Sequence, residues 1–367
     1  MSASARKLTL NKLVVALGFA LTLLVVATLN AAGMQNDSVP AAQVTEMIAQ
    51  VRAASAAQAP TAGAFALGQR LLIEARYGEA YELFAALLEK WPREPEALYG
   101  AALSSFNLGR PADAEPLARA AGEIYLARVG DQAGAKSGLR NQILRGADAI
   151  VLLAVIQGAR GEDTEALKSA RRAVDLAPGH FDAQFILGRA SYGVGDSAAA
   201  VGAFRAALRL KPDDPRSLFF LATALESAGN ADAALAAYRD LTRRQPQAAE
   251  GHLGLGVLLI KRGGSEAEKG IEELRTAVRI DPNQYEAQVT LGRALLAQRL
   301  AAESVEHLKR AAELAPSNPE PHYQLALAYR RLGLNDKAVA ETAIVKRIHE
   351  ARRGDGAQNN TARPDQR

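Results

Sequence analysis

Residues 215–248 read PRSLFFLATALESAGNADAALAAYRDLTRRQPQA. Pro215 suits a first helical turn, where the N–H it lacks would have no partner inside the helix. Leu218, Leu221, Ala222 and Leu225 follow on one apolar stripe at helical spacing. Gly229 is the residue type that ends a helix in the left-handed conformation. A second helix carries Ala233, Ala234, Tyr238 and Leu241, and Pro246 stops it. The small residues Ala222 and Ala234 let the two helices approach closely. A pair this short cannot cover its own apolar faces, so neighbouring pairs must stack on it.

The same unit recurs on both sides. Pro178, Pro212, Pro246, Pro282 and Pro316 are spaced by 34, 34, 36 and 34 residues. Three further series keep that step: Leu187-Gly188 to Leu325-Ala326, the small residues Ala166, Ala200, Ala234, Gly270, Ser304 and Ala338, and the turn residues Gly161, Gly195, Gly229, Gly263, Arg299 and Gly333. The one longer step places two extra residues between Gly263 and Gly270. Upstream, Leu67-Gly68, Ala80, Phe84 and Trp91-Pro92 form one repeat, and Ala101-Ala102, Gly109, Ala114 and Ala121 the next. From Ala114 to Ala166 the step is 52 residues, eighteen beyond the period. The surplus reads as a second helix lengthened through Arg128 and then the loop GDQAGAKSG.

The Leu-Gly pair, the turn Gly, the small residue of the second helix, the aromatic four residues later (Phe204, Tyr238), a further Ala (Ala173, Ala207, Ala277, Ala311) and the closing Pro resemble the tetratricopeptide repeat (TPR) family, in a membrane-anchored or exported bacterial form. The resemblance covers about 61–350. It departs from the pattern at Arg299, Gly270, Ser304 and Thr342. It implies an all-α, right-handed superhelical solenoid of about eight repeats, near 61–94, 95–128, 147–180, 181–214, 215–248, 249–284, 285–318 and 319–352. The last helix is expected to run to about Arg353, with a disordered tail over 354–367.

Ahead of the repeats, Leu13 to Leu29 contains no charge, and extension to Gly33 brings the stretch near the ~30 Å hydrocarbon core. Arg6, Lys7 and Lys12 precede it, so the amino terminus stays cytoplasmic and the remainder crosses. The length of the apolar core favours an uncleaved transmembrane signal-anchor (13–33) over a cleaved signal peptide, for which Ala31-Ala32-Gly33 is the candidate site. The expected location is the inner membrane with the repeats periplasmic, the alternative being cleavage and release into the periplasm. Residues 34–60 read as a linker with a short amphipathic helix (Val44, Met47, Ile48, Val51), packed on the first repeat or lying on the membrane.

Composition narrows the function. Zero cysteines exclude disulfides, thiolate metal sites and cysteine nucleophiles. Of the net charge of +4, the first twelve residues hold +3, and the last 22 hold six Lys/Arg against three Asp/Glu, leaving the body at −2. A nucleic-acid partner is therefore not expected. The five histidines, His180, His252, His307, His322 and His349, show no metal-ligand spacing, and each reads as a surface or turn residue. Gly193-Val194-Gly195 and Gly254-Leu255-Gly256 lack the third glycine and preceding strand of a dinucleotide site. No catalytic residue, metal or cofactor is expected.

The resemblance implies a concave groove lined by the first helix of each repeat. Its positions map to Val151, Phe185, Phe219, Leu253, Val289 and Tyr323 on one line, and to Val155, Arg189, Thr223, Val257, Arg293 and Leu327 a turn further on. Tyr192, Glu226, Arg330 and Arg331 lie beyond. Such a ladder suits an extended or helical peptide bearing a carboxylate, although several of the bulky residues could serve only to pack adjacent repeats. The Lys/Asn set that co-chaperones of this family use to clamp a terminal carboxylate is not reproduced at Phe185, Arg189, Phe219 and Thr223. The expected function is a non-enzymatic scaffold, assembly factor or chaperone for cell-envelope clients. The alternative is an accessory subunit of a polysaccharide-synthesis or secretion machine.

Overall fold

A computed structural model describes residues 38–57, 59–60, 62–131 and 136–361. The expected cytoplasmic 1–12, the apolar stretch 13–33 and the last residues of the tail lie outside the described residues. Those described form seventeen helices and no strand. Helix α1 (Ala41–Ala53) precedes eight pairs. They are α2 (Ala62–Ile73) with α3 (Tyr77–Lys90), α4 (Pro95–Asn107) with α5 (Pro111–Asp131), α6 (Lys136–Ala159) with α7 (Asp163–Leu176), and α8 (Phe181–Gly193) with α9 (Ser197–Leu210). Then come α10 (Pro215–Ser227) with α11 (Ala231–Arg244), α12 (Ala249–Arg262) with α13 (Glu266–Ile280), α14 (Tyr285–Ala297) with α15 (Ala301–Leu314), and α16 (Pro319–Arg331) with α17 (Asn335–Thr361). The chain divides into two compact units, residues 1–212 and 213–367.

In the first unit α1 packs chiefly on α3. Val39, Val44 and Val51 are buried in one cluster with Leu67, Leu71 and Phe84, and Met47 and Ile48 pack against it. The linker helix therefore lies on the first repeat. A polar latch holds its start. The Val39 N–H donates to the Glu74 carboxylate at 3.0 Å, the Arg76 guanidinium donates to the Val39 carbonyl, and Arg76 also pairs with Glu79 at 2.6 Å.

The glycine of the Leu-Gly pair makes room for a large side chain of the second helix. A Cβ on Gly68 would lie 2.5 Å from the Phe84 ring, and one on Gly188 2.6 Å from the Phe204 ring. In the second unit Gly292 stands in the same relation to Leu308, at 2.6 Å. Phe84 also presses on Gly100 of the following repeat, so a single ring wedges between two first helices.

The inserted residues settle in helices. α5 has 21 residues, seven more than the 14 of α9, and α6 has 24, eleven more than the 13 of α8. Together these are the eighteen surplus residues, and the spacing between α5 and α6 stays at four, as between α7 and α8. The expected loop GDQAGAKSG is thus shortened from both ends: helix continues through Asp131 and resumes at Lys136, and residues 132–135 lie outside the described residues. The physical reason is phase. Seven residues fall about 20° short of two helical turns and eleven about 20° beyond three, so both extensions return each apolar face to its neighbour. The two extra residues near Gly263 also enter helices, but only at the turn: α12 has 14 residues and α13 has 15, one more each than α10 and α11, too little to carry a further face against a neighbour.

α6 contains Gly138–Ala159, long and apolar enough to cross a membrane, but 61% of that window is buried. It packs between α5 and α7 as a core helix. At the carboxyl end α17 runs to Thr361, past the Arg353 expected from sequence. No proline follows Pro321 until Pro364, so nothing obliges the helix to stop at Gly354.

Candidate functional face

Residues two, five, nine and twelve of α8, α10, α12, α14 and α16 share one stripe, which in the lengthened α6 falls eleven places later, and this face holds the groove positions. In the first unit Val151 and Phe185 are each only 3% exposed. Phe185 stacks on Phe181 with centroids 6.2 Å apart and meets Phe204 edge-on at 5.9 Å. Arg189 and Tyr192 flank this aromatic cluster, half-buried and engaged with neighbours. The Lys211 ammonium lies 4.1 Å from the Phe181 ring centroid.

In the second unit Phe219 is half-buried between Phe220 (5.4 Å) and Tyr238 (6.3 Å), both edge-on. The Thr223 hydroxyl donates to the Phe219 carbonyl at 3.0 Å and sits 3.2 Å from the Tyr238 hydroxyl. Leu253 and Val257 are half-buried, and Val289 is buried. Tyr323 is 56% exposed. Arg330 is exposed and makes no ion pair among the described residues. The candidates thus sort into two groups. Phe185 and much of Phe219 pack inside their own repeats, and Val289 joins a cluster that reaches Leu325 of the next; Tyr323 and Arg330 face solvent.

Arg293 has a structural task. It donates to Glu320 of the next repeat at 3.1 Å, and Gln69 donates to Glu96 at the same distance and the same separation of 27 residues. Both acceptors are second residues of a first helix, where a carboxylate also suits the helix dipole. The signal was present in sequence as the recurring acids Glu96, Asp148, Asp182, Glu250, Glu286 and Glu320, but it acquires meaning only once the stacking register is known.

The histidines also form ties. At the fourth residue of the first helix, Gln184, His252 and Gln288 each approach the carbonyl of a proline six residues earlier, at 3.0, 3.1 and 2.9 Å. The same position reaches across to the second helix: His252 to Glu273 (2.6 Å), Gln288 to His307 (2.9 Å) and His322 to Glu341 (2.7 Å). His180 caps α8 by accepting from the Ala183 N–H at 3.2 Å, and its other ring nitrogen lies 3.0 Å from Asp148. His349 is exposed and His180 lies in the turn before α8, as expected from sequence, whereas His252, His307 and His322 are half-buried within helices. Burial alone would lower the pKa of His180, but the hydrogen bond and charge of Asp148 raise it overall. Burial lowers that of His307, whose hydrogen-bond partner Gln288 is neutral. No group of three His, Asp or Glu side chains among the described residues could hold a metal.

The tetratricopeptide repeat family model matches residues 65–125, 151–215, 219–285, 265–319 and 289–348. The chain belongs to the tetratricopeptide repeat family. TPR proteins are in general protein-interaction scaffolds, and the chain shares their architecture. No curated protein is similar to it in sequence. Among solved structures, pilF of Pseudomonas aeruginosa is 17% identical, with a TM-score of 0.50 over 56% of this chain and 92% of that one. The C-terminal part of a TPR repeat-containing protein from Cytophaga hutchinsonii is 18% identical, with a TM-score of 0.50 over 71% and 99%. The APC/C hetero-tetramer Cut9-Hcn1 gives 13% identity and a TM-score of 0.51 over 90% of this chain and 60% of that one. At these identities the likeness is one of TPR fold.

Proposed function

We propose that this TPR protein is a membrane-anchored scaffold that holds segments of cell-envelope proteins on its first-helix face, outside the cytoplasm. The anchor is the charge-free stretch 13–33 behind Arg6, Lys7 and Lys12. The observation that carries the binding role is Tyr323, a large aromatic left 56% exposed one turn before the half-buried Leu327, with the uncompensated Arg330 two turns further along α16. Tyrosine offers a rigid apolar surface with one polar end, and arginine pairs with carboxylate in two-pronged fashion. A partner segment with an aliphatic side chain and an acidic group fits that combination. Anchoring raises the effective concentration of this face near other membrane proteins. A glycan-guiding role is disfavoured by Arg293, whose charge is already met by Glu320.

The test is photocrosslinking in cells from Phe219 and Tyr323, with mass spectrometry of the adducts. One or two recurring envelope proteins support a dedicated assembly scaffold, and many exported chains support a chaperone. Cytosolic adducts refute the topology, and the absence of adducts at both positions refutes the face.

A further inference from the structure

The turn edge of the last two repeats carries a second feature, away from the stripe. A cavity of about 700 Å³ is lined by Ala297, Arg299, Leu300, Ala301, Ala302, Glu303, Arg331 and Leu332. Leu300 is 45% exposed, Leu332 39% and the nearby Leu334 41%, so the apolar strip continues beyond the cavity mouth. Two guanidinium groups flank it. Arg299 is exposed, and Arg331 donates only to the Leu296 carbonyl; neither has a carboxylate partner among the described residues. The one acid in the lining, Glu303, is held on both oxygens by Arg275, at 2.7 and 2.9 Å. The cavity therefore presents two unneutralised cations beside aliphatic surface.

We propose that this edge docks an extended segment of a partner protein in which an acidic side chain adjoins one or two Leu, Ile or Val residues. Charge complementarity fixes the acid: two arginines in reach of one site favour a carboxylate, which accepts charge-assisted bonds from both. The open strip fixes the remainder. Half-exposed leucines along a shallow edge suit the alternate side chains of an extended peptide, whereas an alkyl chain needs a deep enclosure that covers most of its surface. Nucleic acid is disfavoured, since no aromatic lines the site to stack on a base. The site is distinct from the first-helix face and stands or falls independently of it.

The experiment pans the detergent-solubilised full chain with a phage-displayed library of random heptapeptides, then measures the affinities of the synthetic winners. The expected winners carry Asp or Glu next to an aliphatic residue. Arg299→Gly weakens them by about tenfold or more, the usual scale for a lost charge-assisted hydrogen bond. The same change replaces a side chain from a backbone with φ of 64° by the residue that tolerates it best, so the variant unfolds at higher temperature than the parent. Loss of binding with a gain in stability cannot be a folding defect. Arg331→Gln weakens the same peptides, while Phe219→Ala leaves them bound. Failure to select any peptide, winners without an acid, affinities unchanged in both arginine variants, or displacement of the winners by oleate at lower concentration than by any peptide would each overturn the proposal.

Discussion

Ala75 and Arg299 hold a backbone conformation that the other first-to-second-helix turns give to glycine, with φ of 55° and 64° against 73–88° for Gly109, Gly161, Gly195, Gly229, Gly263 and Gly333. A Cβ there costs about 1–2 kcal/mol, and glycine in the unfolded chain takes back about 0.4–1. Ala75→Gly is accordingly expected to raise stability by roughly 0.5–1 kcal/mol, read as a shift of the urea midpoint at constant slope. The opposite substitution fails at Gly188. There Ala, usually the better helix former, would set its methyl 2.6 Å from the fully buried Phe204 ring. Gly188→Ala should destabilise by about 1–3 kcal/mol, as overpacking does, and an unchanged midpoint would refute the wedge. Gly188 and Arg299 were legible in the sequence, one in a Leu-Gly pair and one as a departure from the turn glycines, whereas Ala75 stands outside the turn series read there. Arg293 was not legible: it reads equally well as a groove cation, and only the stacking register sets Glu320 beside it.

Elements were read correctly where punctuation is local. Pro215 opens a first helix, as read from sequence, and Pro95 and Pro319 do the same in their repeats, where a first helical turn favours proline. The ends of the α5–α6 arm were misread because glycine-rich sequence resembles a loop, yet helix takes in Gly130 and Gly138, at about 1 kcal/mol each. α1 depends on more than its apolar stripe. Its entry is latched by Arg76 through Glu74, Glu79 and the Val39 carbonyl. Arg76→Ala should free α1 while α2 to α9 persist. Hydrogen exchange would then show faster amides over 41–53 and unchanged protection in α3 and α8. Uniform loss across the first unit would mean that α1 is integral to its core and not a latched cover.

Over the whole molecule, one histidine in each unit answers to pH in the opposite sense to the other. His180, in the first, titrates above the unfolded value of about 6.5. The folded state there holds the proton more tightly, so this contribution is complete below about pH 6.5 and is lost as pH rises through the raised value. His307, in the second, titrates below it, so its contribution is complete above about pH 6.5 and is lost as pH falls through the lowered value. An NMR titration of the imidazole Cε1–H signals should place the two midpoints on either side of about 6.5, and coincident midpoints would refute the assignment. None of this was legible in the sequence, where all five histidines looked alike. Their differences arise from Asp148, 32 positions before His180, and from the neutral Gln288 beside His307.

The lengthened arm has a consequence for descent. If an insertion survives only when it returns each helical face to its neighbour, the permitted lengths form a discrete ladder and not a continuum. For insertions of a turn or more, rungs fall near 4, 7, 11, 14 and 18 residues per helix, the near-multiples of 3.6. Relatives of this chain that differ in the arm should therefore differ by such steps in each helix, and an orthologue set with arm lengths spread evenly between the rungs would show that the arm is held by something other than its helical phase.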